Sequence, residues 1–225
     1  MRPARTAVIF DLDGVLTDTA ELHYQSWQWL ADDLGIPFNR QANEALRGLS
    51  RTESMARVLG DRAGEFTAAQ KEEIAQRKNE DYLARVARMT PADLLPGAAD
   101  LLRELRARGV AVAVASSSKN AGAVIDRLGI RPLLDVLVDG NDIDRSKPDP
   151  QVFLAAAGRL GLRPAQCVVV EDATSGVEAA LAAGMRVVGL GPAERVGRAH
   201  RIKASIADLD AEEILELLRM YPERT

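Results

Sequence analysis

The sequence predicts an α/β fold: a doubly wound, Rossmann-like parallel sheet as the core, with an inserted α-helical cap domain. Two observations predict it. Short runs of apolar residues recur along the chain, and helical segments that end in glycine lie between them. From about residue 17 to residue 90 this alternation stops, and only helical patterns are found.

The apolar runs occupy residues 7–10, 110–115, 136–138, 167–170 and 187–190. Their apolarity is continuous rather than alternating, which is typical of strands covered on both faces, as in a parallel sheet. The helical stripes between them end at Gly109, Gly129, Gly161 and Gly184. Glycine just after a periodic helix is the expected left-handed stop. The repeated order of helix, glycine and strand therefore predicts the doubly wound core.

The stretch that interrupts the pattern carries its own helix signals. Ser50 and Thr67 each begin a capping box, with Glu53 and Gln70 three residues later. Prolines at 91 and 96 mark the return to the alternating pattern, and we expect a hinge there. We therefore predict a core formed by residues 1–16 and 91–225 and a cap formed by residues 17–90.

Composition excludes several classes of protein. The 225 residues carry a net charge of −4, so the chain has no overall attraction for nucleic acid or an anionic membrane. No apolar run approaches the roughly 20 residues that span a bilayer. Cys167 is the one cysteine, so no disulfide can form within the chain, and we expect a buried thiol and a cytoplasmic location. The low aromatic content favours a monomer.

Polar clusters follow four of the predicted strands. They are Asp11 with Asp13, residues 116–120, residues 146–148, and Glu171 with Asp172. Ligands of open α/β sheets bind at the carboxyl ends of the strands. Residues two apart on an extended chain point the same way, so Asp11 and Asp13 can face one site. We therefore expect the four clusters to meet at one edge of the sheet.

The residue types in these clusters indicate phosphoryl transfer. Four crowded carboxylates would repel one another, so a hard cation with oxygen ligands is expected, and Mg²⁺ is the first choice. Lysine and hydroxyls beside a metal suit a phosphoryl group, whose charge must be balanced while it moves. One carboxylate can attack phosphorus to give an acyl phosphate, and a second can move the proton of the hydroxyl.

Each cluster taken alone has a simpler interpretation. Asp-x-Asp-Gly is a common turn sequence and also occurs in calcium loops. The serines at 116–118 could cap the following helix, and Lys147 could be a solvated loop residue. Glu171 and Asp172 could be acids of an ordinary loop. The functional interpretation gains weight because all of the clusters share one sheet edge.

These residues carry a resemblance to a known family. Asp11-Leu12-Asp13-Gly14-Val15, followed in order by Thr17-Asp18-Thr19, Ser116, Lys147 and Glu171-Asp172, resembles the four motifs of the haloacid dehalogenase superfamily of phosphotransferases. The resemblance covers essentially the whole chain, including a helical cap after the first motif. Within the superfamily the chain is most similar to the β-phosphoglucomutases, through residues 18–21, His23, 48–51, 77–79, 90–93 and 118–120.

The resemblance implies roles for the core residues. Asp11 would be the nucleophile that becomes phosphorylated, and Asp13 the general acid and base, with its backbone carbonyl on the metal. Asp172 would bind Mg²⁺, with Glu171 beside it as a further ligand. The catalytic and phosphate-binding groups would be completed by Ser116, Lys147, Ser118, Lys119 and Asn120.

The resemblance also implies that cap residues bind the substrate. Arg51 would hold the phosphate that is not transferring, while His23 and Lys78 would contact the substrate and help to position Asp13. The other implied substrate-binding residues are Thr19, Trp27, Gly48 and Ser54.

The spacing of these cap residues agrees with such roles. His23 lies on a stripe with Trp27, Leu30 and Leu34 that should face inward. Lys78 is four residues from both Ile74 and Tyr82, so it either snorkels or points into a polar cleft. Arg51 follows the probable N-cap Ser50, where guanidinium and helix N-terminus could meet one anion. The simpler alternatives are that His23 is a core residue, that Trp27 only packs, and that Arg51 is solvated.

The implied activity is the interconversion of β-D-glucose 1-phosphate and D-glucose 6-phosphate, through phospho-Asp11 and β-glucose 1,6-bisphosphate. The partner is then a small sugar phosphate, with no nucleic acid and no membrane. A sugar-phosphate or phosphoglycolate phosphatase is the main alternative, and a non-catalytic sugar-phosphate-binding module or a calcium-binding module is less favoured. The departures from the mutase pattern are Ser117, the 139–145 loop and the last 30 residues.

Overall fold

The structure is a computed structural model that describes residues 6–46 and 49–220. Its sheet is parallel throughout and has the order β3-β2-β1-β4-β5-β6. The strands are β1 (Ala7–Phe10), β2 (Ala111–Ala115), β3 (Val136–Val138), β4 (Cys167–Glu171), β5 (Arg186–Leu190) and β6 (Arg201–Lys203). This topology confirms the doubly wound, Rossmann-like sheet. β6 was not predicted, because its sequence Arg-Ile-Lys has none of the continuous apolarity of the central strands.

Helices cover both faces of the sheet. In chain order they are α1 (Ala20–Asp33), α2 (Arg40–Glu44), α3 (Arg51–Leu59), α4 (Ala68–Val86), α5 (Ala98–Ala107), α6 (Ala121–Leu128), α7 (Gln151–Leu160), α8 (Thr174–Ala182), α9 (Ala193–Val196) and α10 (Ala211–Met220). Short 3₁₀ helices lie at Gly60–Glu65, Pro91–Asp93, Arg131–Leu133, Pro164–Gln166 and Ile206–Asp208. None of the described helices is both long enough and apolar enough to cross a membrane.

The two faces of β1 explain why its sequence is apolar without interruption. Val8 and Phe10 pack into a cluster with α5, α6 and α10, whereas Ala7 and Ile9 pack into a second cluster with α7 and α8. Successive side chains of a strand point to opposite faces, so a sheet between two helical layers needs apolar residues at every position. Cys167, which begins β4, is fully buried, as expected.

The inserted segment forms a helical cap with its own small core. Trp27 and Leu30 of α1 pack with residues of α3 and α4 in a cluster separate from those of the sheet. The predicted capping boxes at Ser50 and Thr67 are both present, at the starts of α3 and α4. No strand lies between residues 20 and 86 in the described part of the chain.

The two segments that connect cap and core run side by side. Thr17 forms a bridge with Leu94, and its Oγ1 donates to the Asp93 carbonyl at 2.7 Å. The Leu95 amide donates to the Leu16 carbonyl at 2.9 Å. The cap is not fully separate from the core, because Tyr82 of α4 belongs to the main hydrophobic cluster of the sheet. The boundary between cap and core stays a prediction.

Candidate active site

The structure places the four polar clusters around one pocket at the carboxyl edge of the sheet. Loops after β1, β2, β3 and β4 bring core side chains to this edge, and α1, α3 and α4 of the cap face them. Residues of the core and the cap that line it include Asp11, Asp13, Ser116, Lys147, Asp172, His23, Arg51 and Lys78. Residues more than 100 positions apart in the sequence therefore share one cavity.

Lys147 is the buried cation at the base of this pocket. Its Nζ donates to Asp11 Oδ1 at 2.5 Å, to Glu171 Oε2 at 2.7 Å and to the Ala115 carbonyl at 3.4 Å. Burial alone would lower the pKa of Lys147, but Asp11 and Glu171 raise it above its ordinary value. The ammonium therefore keeps its charge at every physiological pH. A solvated loop lysine is excluded.

Glu171 is held on both of its oxygens. Oε2 accepts from Lys147, and Oε1 accepts from the backbone amides of Asp172 and Ala173, each at 3.0 Å. The carboxylate lies directly over Gly176 of α8, where a Cβ would come within 1.9 Å of Oε2. Burial raises the pKa of Glu171, and Lys147 opposes that shift. Glu171 thus fixes the position of Lys147.

Three acids form a set of oxygen donors that fits a divalent cation. One carboxylate oxygen each from Asp11, Glu171 and Asp172 lies within 4.8 Å of the others, and all three residues are buried. Gly14 makes room for this set, since its φ is +84° and a Cβ there would lie 2.4 Å from Asp172 Oδ2. Oxygen ligands only, and no sulfur or imidazole, are the preference of Mg²⁺ and Ca²⁺. The donor set therefore fits a hard metal ion.

Asp13 is positioned by Thr19 and is easily protonated. Thr19, which is fully buried, donates its hydroxyl to Asp13 Oδ1. Burial raises the pKa of Asp13 to about 8, and the charges of Asp11 and Asp172 contribute, while Lys147 opposes them. A carboxyl group that carries a proton at neutral pH is suited to act as a general acid. Thr19 contacts Asp13 and does not line the pocket.

The loop after β2 forms a cradle for an anion. The hydroxyl of buried Ser116 accepts from the Ser118 amide at 3.1 Å, and the Ser118 hydroxyl accepts from the Asn120 amide at 3.2 Å. Lys119 is exposed at the mouth of the pocket, and α6 begins directly after Asn120. Helix N-termini have unpaired N–H groups and a positive dipole end that attract phosphate.

His23 and Lys78 form a contact pair on the cap side. Lys78 Nζ lies 2.8 Å from His23 Nδ1, and the His23 ring stacks on Tyr82 with centroids 4.1 Å apart. Burial lowers the pKa of Lys78 to about 7, with Arg51 contributing and Asp13 opposing. Burial, Lys78 and Arg51 also keep the pKa of His23 well below its usual value. When Lys78 is charged it can only donate, and the proton of the neutral imidazole is then on Nε2.

The other cap residues take three different positions. Arg51, at the start of α3, lines the pocket and donates from Nη2 to Asn79 Oδ1 at 2.8 Å, so it is not merely solvated. Buried Ser54 and Trp27 also line the pocket. Lys78 Nζ lies 4.8 Å from the centre of a Trp27 ring, so Trp27 both packs in the cap and contacts the site. Gly48 lies outside the described residues.

Sequence reasoning missed three residues at this site. Asn79 bonds to both Arg51 and Asn120, and Tyr82 supports the His23 ring. The Arg195 guanidinium Nη2 lies 3.9 Å from Asp172 Oδ2. Tyr82 had a signal, since it lies one turn after Lys78, but it was used only as an apolar neighbour. Arg195 had none, because it reaches the site from α9, the short helix after β5.

Comparisons with known proteins agree with this geometry. Residues 6–184 match the family model described as haloacid dehalogenase-like hydrolase. The chain is 42% identical to β-phosphoglucomutase of Bacillus subtilis, over 96% of each protein. It is 30% identical to a phosphorylated carbohydrates phosphatase of Thermotoga maritima, over 95% of this chain and 98% of that protein. The crystal structure of β-phosphoglucomutase from Clostridium difficile shares 37% identity and a TM-score of 0.93, covering 96% of this chain and 98% of that one. A family match over most of its length, with relatives aligned almost end to end, means that the chain belongs to the haloacid dehalogenase-like hydrolase family.

Proposed function

We propose that the protein interconverts β-D-glucose 1-phosphate and D-glucose 6-phosphate through a phospho-Asp11 enzyme and β-glucose 1,6-bisphosphate. One observation carries the proposal. Asp11 is bonded to the buried cation Lys147 on the core side of the pocket, and Arg51, His23 and Lys78 face it from the cap. Two positively charged regions on opposite sides of one pocket suit a substrate with a phosphate at each end. The 42% identity to the B. subtilis β-phosphoglucomutase supports the same activity.

The proposed chemistry uses two carboxyl groups in turn. Phospho-Asp11 first donates to the free hydroxyl of β-glucose 1-phosphate. Asp13 takes the proton of that hydroxyl, the acyl phosphate bond breaks, and β-glucose 1,6-bisphosphate forms. After this intermediate turns around, a free oxygen of Asp11 attacks its other phosphorus, the bond between that phosphorus and the sugar oxygen breaks, and Asp13 returns its proton to the departing oxygen of glucose 6-phosphate. Lys147 and Ser116 hold the phosphoryl oxygens throughout.

We propose that Mg²⁺ is the metal of the site. Asp11, Asp172 and the backbone carbonyl of Asp13 would hold it, with Glu171 beside them. When bound, the ion balances the negative charge of the phosphoryl oxygens. Lys147 supplies a fixed positive charge on the other side of Asp11 and holds that carboxylate in place for attack. The carboxylate of Asp172 would supply a second charged oxygen ligand.

The phosphate that is not transferring would lie between Arg51 and the start of α6. Ser118, Lys119 and Asn120 line that part of the pocket from the core. His23 and Lys78 would contact the sugar, with Trp27 and Ser54 beside them, and Thr19 would orient Asp13. Gly48 stays a sequence-based prediction at this end of the site. The sugar hydroxyls thus meet polar groups from both sides.

The cap would exclude water from phospho-Asp11. We propose that residues 17–90 open and close over the core about the paired crossings near Thr17 and Leu94, and that the chain acts as a monomer. The low aromatic content of the chain favours the monomer. Excluding water matters because an acyl phosphate hydrolyses when water reaches it.

A sugar-phosphate phosphatase is the second candidate. The relative from T. maritima is a phosphatase by name, and the core residues would serve hydrolysis equally well. The cations of the cap favour the mutase, because a hydrolase has less need of a site for a second phosphate.

The decisive experiment supplies β-glucose 1-phosphate, Mg²⁺ and a trace of β-glucose 1,6-bisphosphate, and follows glucose 6-phosphate and free phosphate together. We expect glucose 6-phosphate to be the dominant product. Free phosphate as the dominant product would overturn the mutase and leave the phosphatase. The matched control is Asp11→Asn, which should form neither product while it keeps the wild-type circular dichroism spectrum.

A further inference from the structure

Asn79 connects the cap to the core beside the pocket. Its side chain lies on α4, directly after Lys78, and is half-buried. Asn79 Oδ1 accepts from Arg51 Nη2 at 2.8 Å and from Asn120 Nδ2 at 2.8 Å. Arg51 belongs to the cap and Asn120 to the core. One neutral oxygen therefore accepts from two donors that line opposite sides of the pocket.

The geometry of Asn120 shows that this contact replaces a common local one. Asn120 is the N-cap residue of α6, a position where asparagine typically accepts from an amide of its own helix. Its side chain makes no such bond and donates to Asn79 instead. The Ala121 amide donates to the Ser118 carbonyl at 3.4 Å, but the Asn120 side chain leaves the following amides of α6 uncapped, so they can meet an anion in the pocket.

The other donor, Arg51, keeps its full charge in this arrangement. Among the residues that the structure describes, none of the carboxylates lies within ion-pairing distance of Arg51, and its hydrogen bond goes to the neutral amide of Asn79. A neutral acceptor fixes the direction of a guanidinium without balancing its charge, whereas a carboxylate would do both. Partial burial lowers the pKa of Arg51, and the charge of Glu72 opposes that shift. The guanidinium lines the pocket, where a dianion can reach it.

We propose that Asn79 is a positioning residue that aligns Arg51 and Asn120 on the phosphate that is not transferring, and that it joins cap to core when the substrate is enclosed. This inference rests on the proposed function, since it assumes a substrate with a second phosphate. It assigns no contact between Asn79 and the substrate. Its effect passes through Arg51 and Asn120.

Two variants test the two parts of this role. Asn79→Ala removes the shared acceptor, and Asn79→Asp keeps the acceptor oxygens but adds a charge that pairs with Arg51. We expect both to raise the KM for β-glucose 1,6-bisphosphate about tenfold, the factor that corresponds to about 1.4 kcal/mol, with kcat within about twofold of wild type. Gln76→Ala is the matched control, because Gln76 lies on the same helix, is exposed and donates to the neighbouring Glu80.

A second phosphoryl donor separates positioning from a general structural defect. Acetyl phosphate has no second anionic group, so its reaction with Asp11 does not need Arg51 or Asn120. We expect the rate at which acetyl phosphate phosphorylates Asp11 to be the same in wild type, Asn79→Ala and Asn79→Asp. An equal loss with both donors would show that Asn79 merely supports the fold and would overturn the inference. A wild-type KM for the bisphosphate in Asn79→Ala would overturn it too.

A mutant cycle tests whether Asn79 acts through its two partners. In the Arg51→Ala, Asn120→Ala background, Asn79→Ala should raise the KM no further. The same tenfold rise in that background would contradict the proposed route. Failure of the inference about Asn79 can be distinguished from failure of the proposed function. If wild type releases free phosphate instead of glucose 6-phosphate, the mutase proposal fails, and the same variants then compare the KM for hydrolysis of the bisphosphate.

Discussion

Two buried lysines show how the surroundings of a residue decide its chemistry. Lys147 contacts Asp11 and Glu171, and these carboxylates keep it charged. Lys78 is equally buried, but it contacts the His23 ring and two aromatic faces instead of carboxylates. Burial, with the charge of Arg51 contributing, therefore lowers its pKa to about 7. The first lysine is a permanent cation, whereas the second is poised to gain or lose a proton near neutral pH.

The burial of Lys78 should therefore lower the stability of the folded protein, by an amount that depends on pH. Its pKa is about 7 in the folded state, against an ordinary value of 10.5 for a solvated lysine. Between these values the unfolded chain binds more protons, so the stability that this group contributes rises with pH and is lowest below about pH 7. We expect Lys78→Met to stabilise the free protein by about 2 kcal/mol at pH 6, and by less as the pH approaches 10.

Urea unfolding at pH 6, 8 and 10 measures this prediction. Lys71→Met on the same helix is the control, since Lys71 is not part of the buried face, and it should show no such trend. A stabilisation by Lys78→Met that does not change with pH would contradict the account, as would destabilisation at pH 6. Turnover should fall in this variant, because we propose that Lys78 contacts the sugar.

Neighbouring acids at the end of β4 should differ in their effect on metal binding. Both oxygens of Glu171 already accept protein hydrogen bonds, from Lys147 and from two backbone amides. We expect Asp172→Asn to weaken Mg²⁺ binding by about tenfold or more, because it removes a charged ligand. Glu171→Gln should change the affinity by less than about threefold and lower turnover through Lys147.

Isothermal titration of Mg²⁺ into each purified variant gives the two affinities directly. Equal losses of affinity in both variants would show that Glu171 is as much a ligand as Asp172. Unchanged affinity in Asp172→Asn would remove that residue from the metal site. Neither readout depends on catalysis, so the result stands whatever the substrate is.

At the scale of single elements, two helical glycines should respond in opposite ways to alanine. Helix propensity alone predicts that Gly→Ala stabilises a helix interior by about 0.5–1 kcal/mol. Gly158 of α7 is exposed and has open space around it, so Gly158→Ala should follow this rule. Gly176 of α8 should not, because its new Cβ would lie 1.9 Å from Glu171 Oε2. We expect Gly176→Ala to destabilise by about 1–3 kcal/mol.

Thermal and urea unfolding of the two variants check the opposite signs. Gly176→Ala should also reduce turnover, because displacing Glu171 displaces Lys147. If Gly176→Ala were as stabilising as Gly158→Ala, the close packing of Glu171 against α8 would be wrong.

Most of the strands and helix ends could be predicted from the sequence, and particular residues show why the others could not. The strands were predicted to within one residue where Val, Ile and Ala run without interruption, because a covered strand needs apolar side chains on both faces. β6 was missed, since an edge strand flanked by Arg201 and Lys203 lacks that signal. Caps and glycine stops are local, and those at Ser50, Thr67, Gly129 and Gly161 occur as predicted.

Contacts that depend on docking could not be predicted from pattern. Asn79 was noted only as part of a similar stretch, because its partners lie 28 and 41 residues away and belong to different domains. The support of His23 by Tyr82 needs the packing of α1 against α4, which spacing on either helix does not reveal. The meeting of the four polar clusters was easier to predict, since parallel strands bring their carboxyl ends together whatever the details of the loops.

At the scale of the whole molecule, the sheet supplies the reacting groups and the cap supplies the opposite wall. Asp11, Lys147 and Asp172 come from one rigid edge, where burial and mutual contacts fix their positions. Arg51, His23 and Lys78 come from helices that connect to the core through the paired crossings at Thr17 and Leu94. This division allows the chemistry to stay in place while the intermediate turns around between the two walls.

The central claim is that Asp11 carries the phosphoryl group between the two positions of the sugar. Its most direct test incubates the protein with Mg²⁺ and radiolabelled β-glucose 1,6-bisphosphate, quenches the reaction quickly and maps the label by peptide mass spectrometry. We predict label on Asp11 in the wild-type protein, chased into glucose 6-phosphate by unlabelled β-glucose 1-phosphate, and no label in Asp11→Asn. Turnover without label on Asp11, or label on another residue, would contradict the account.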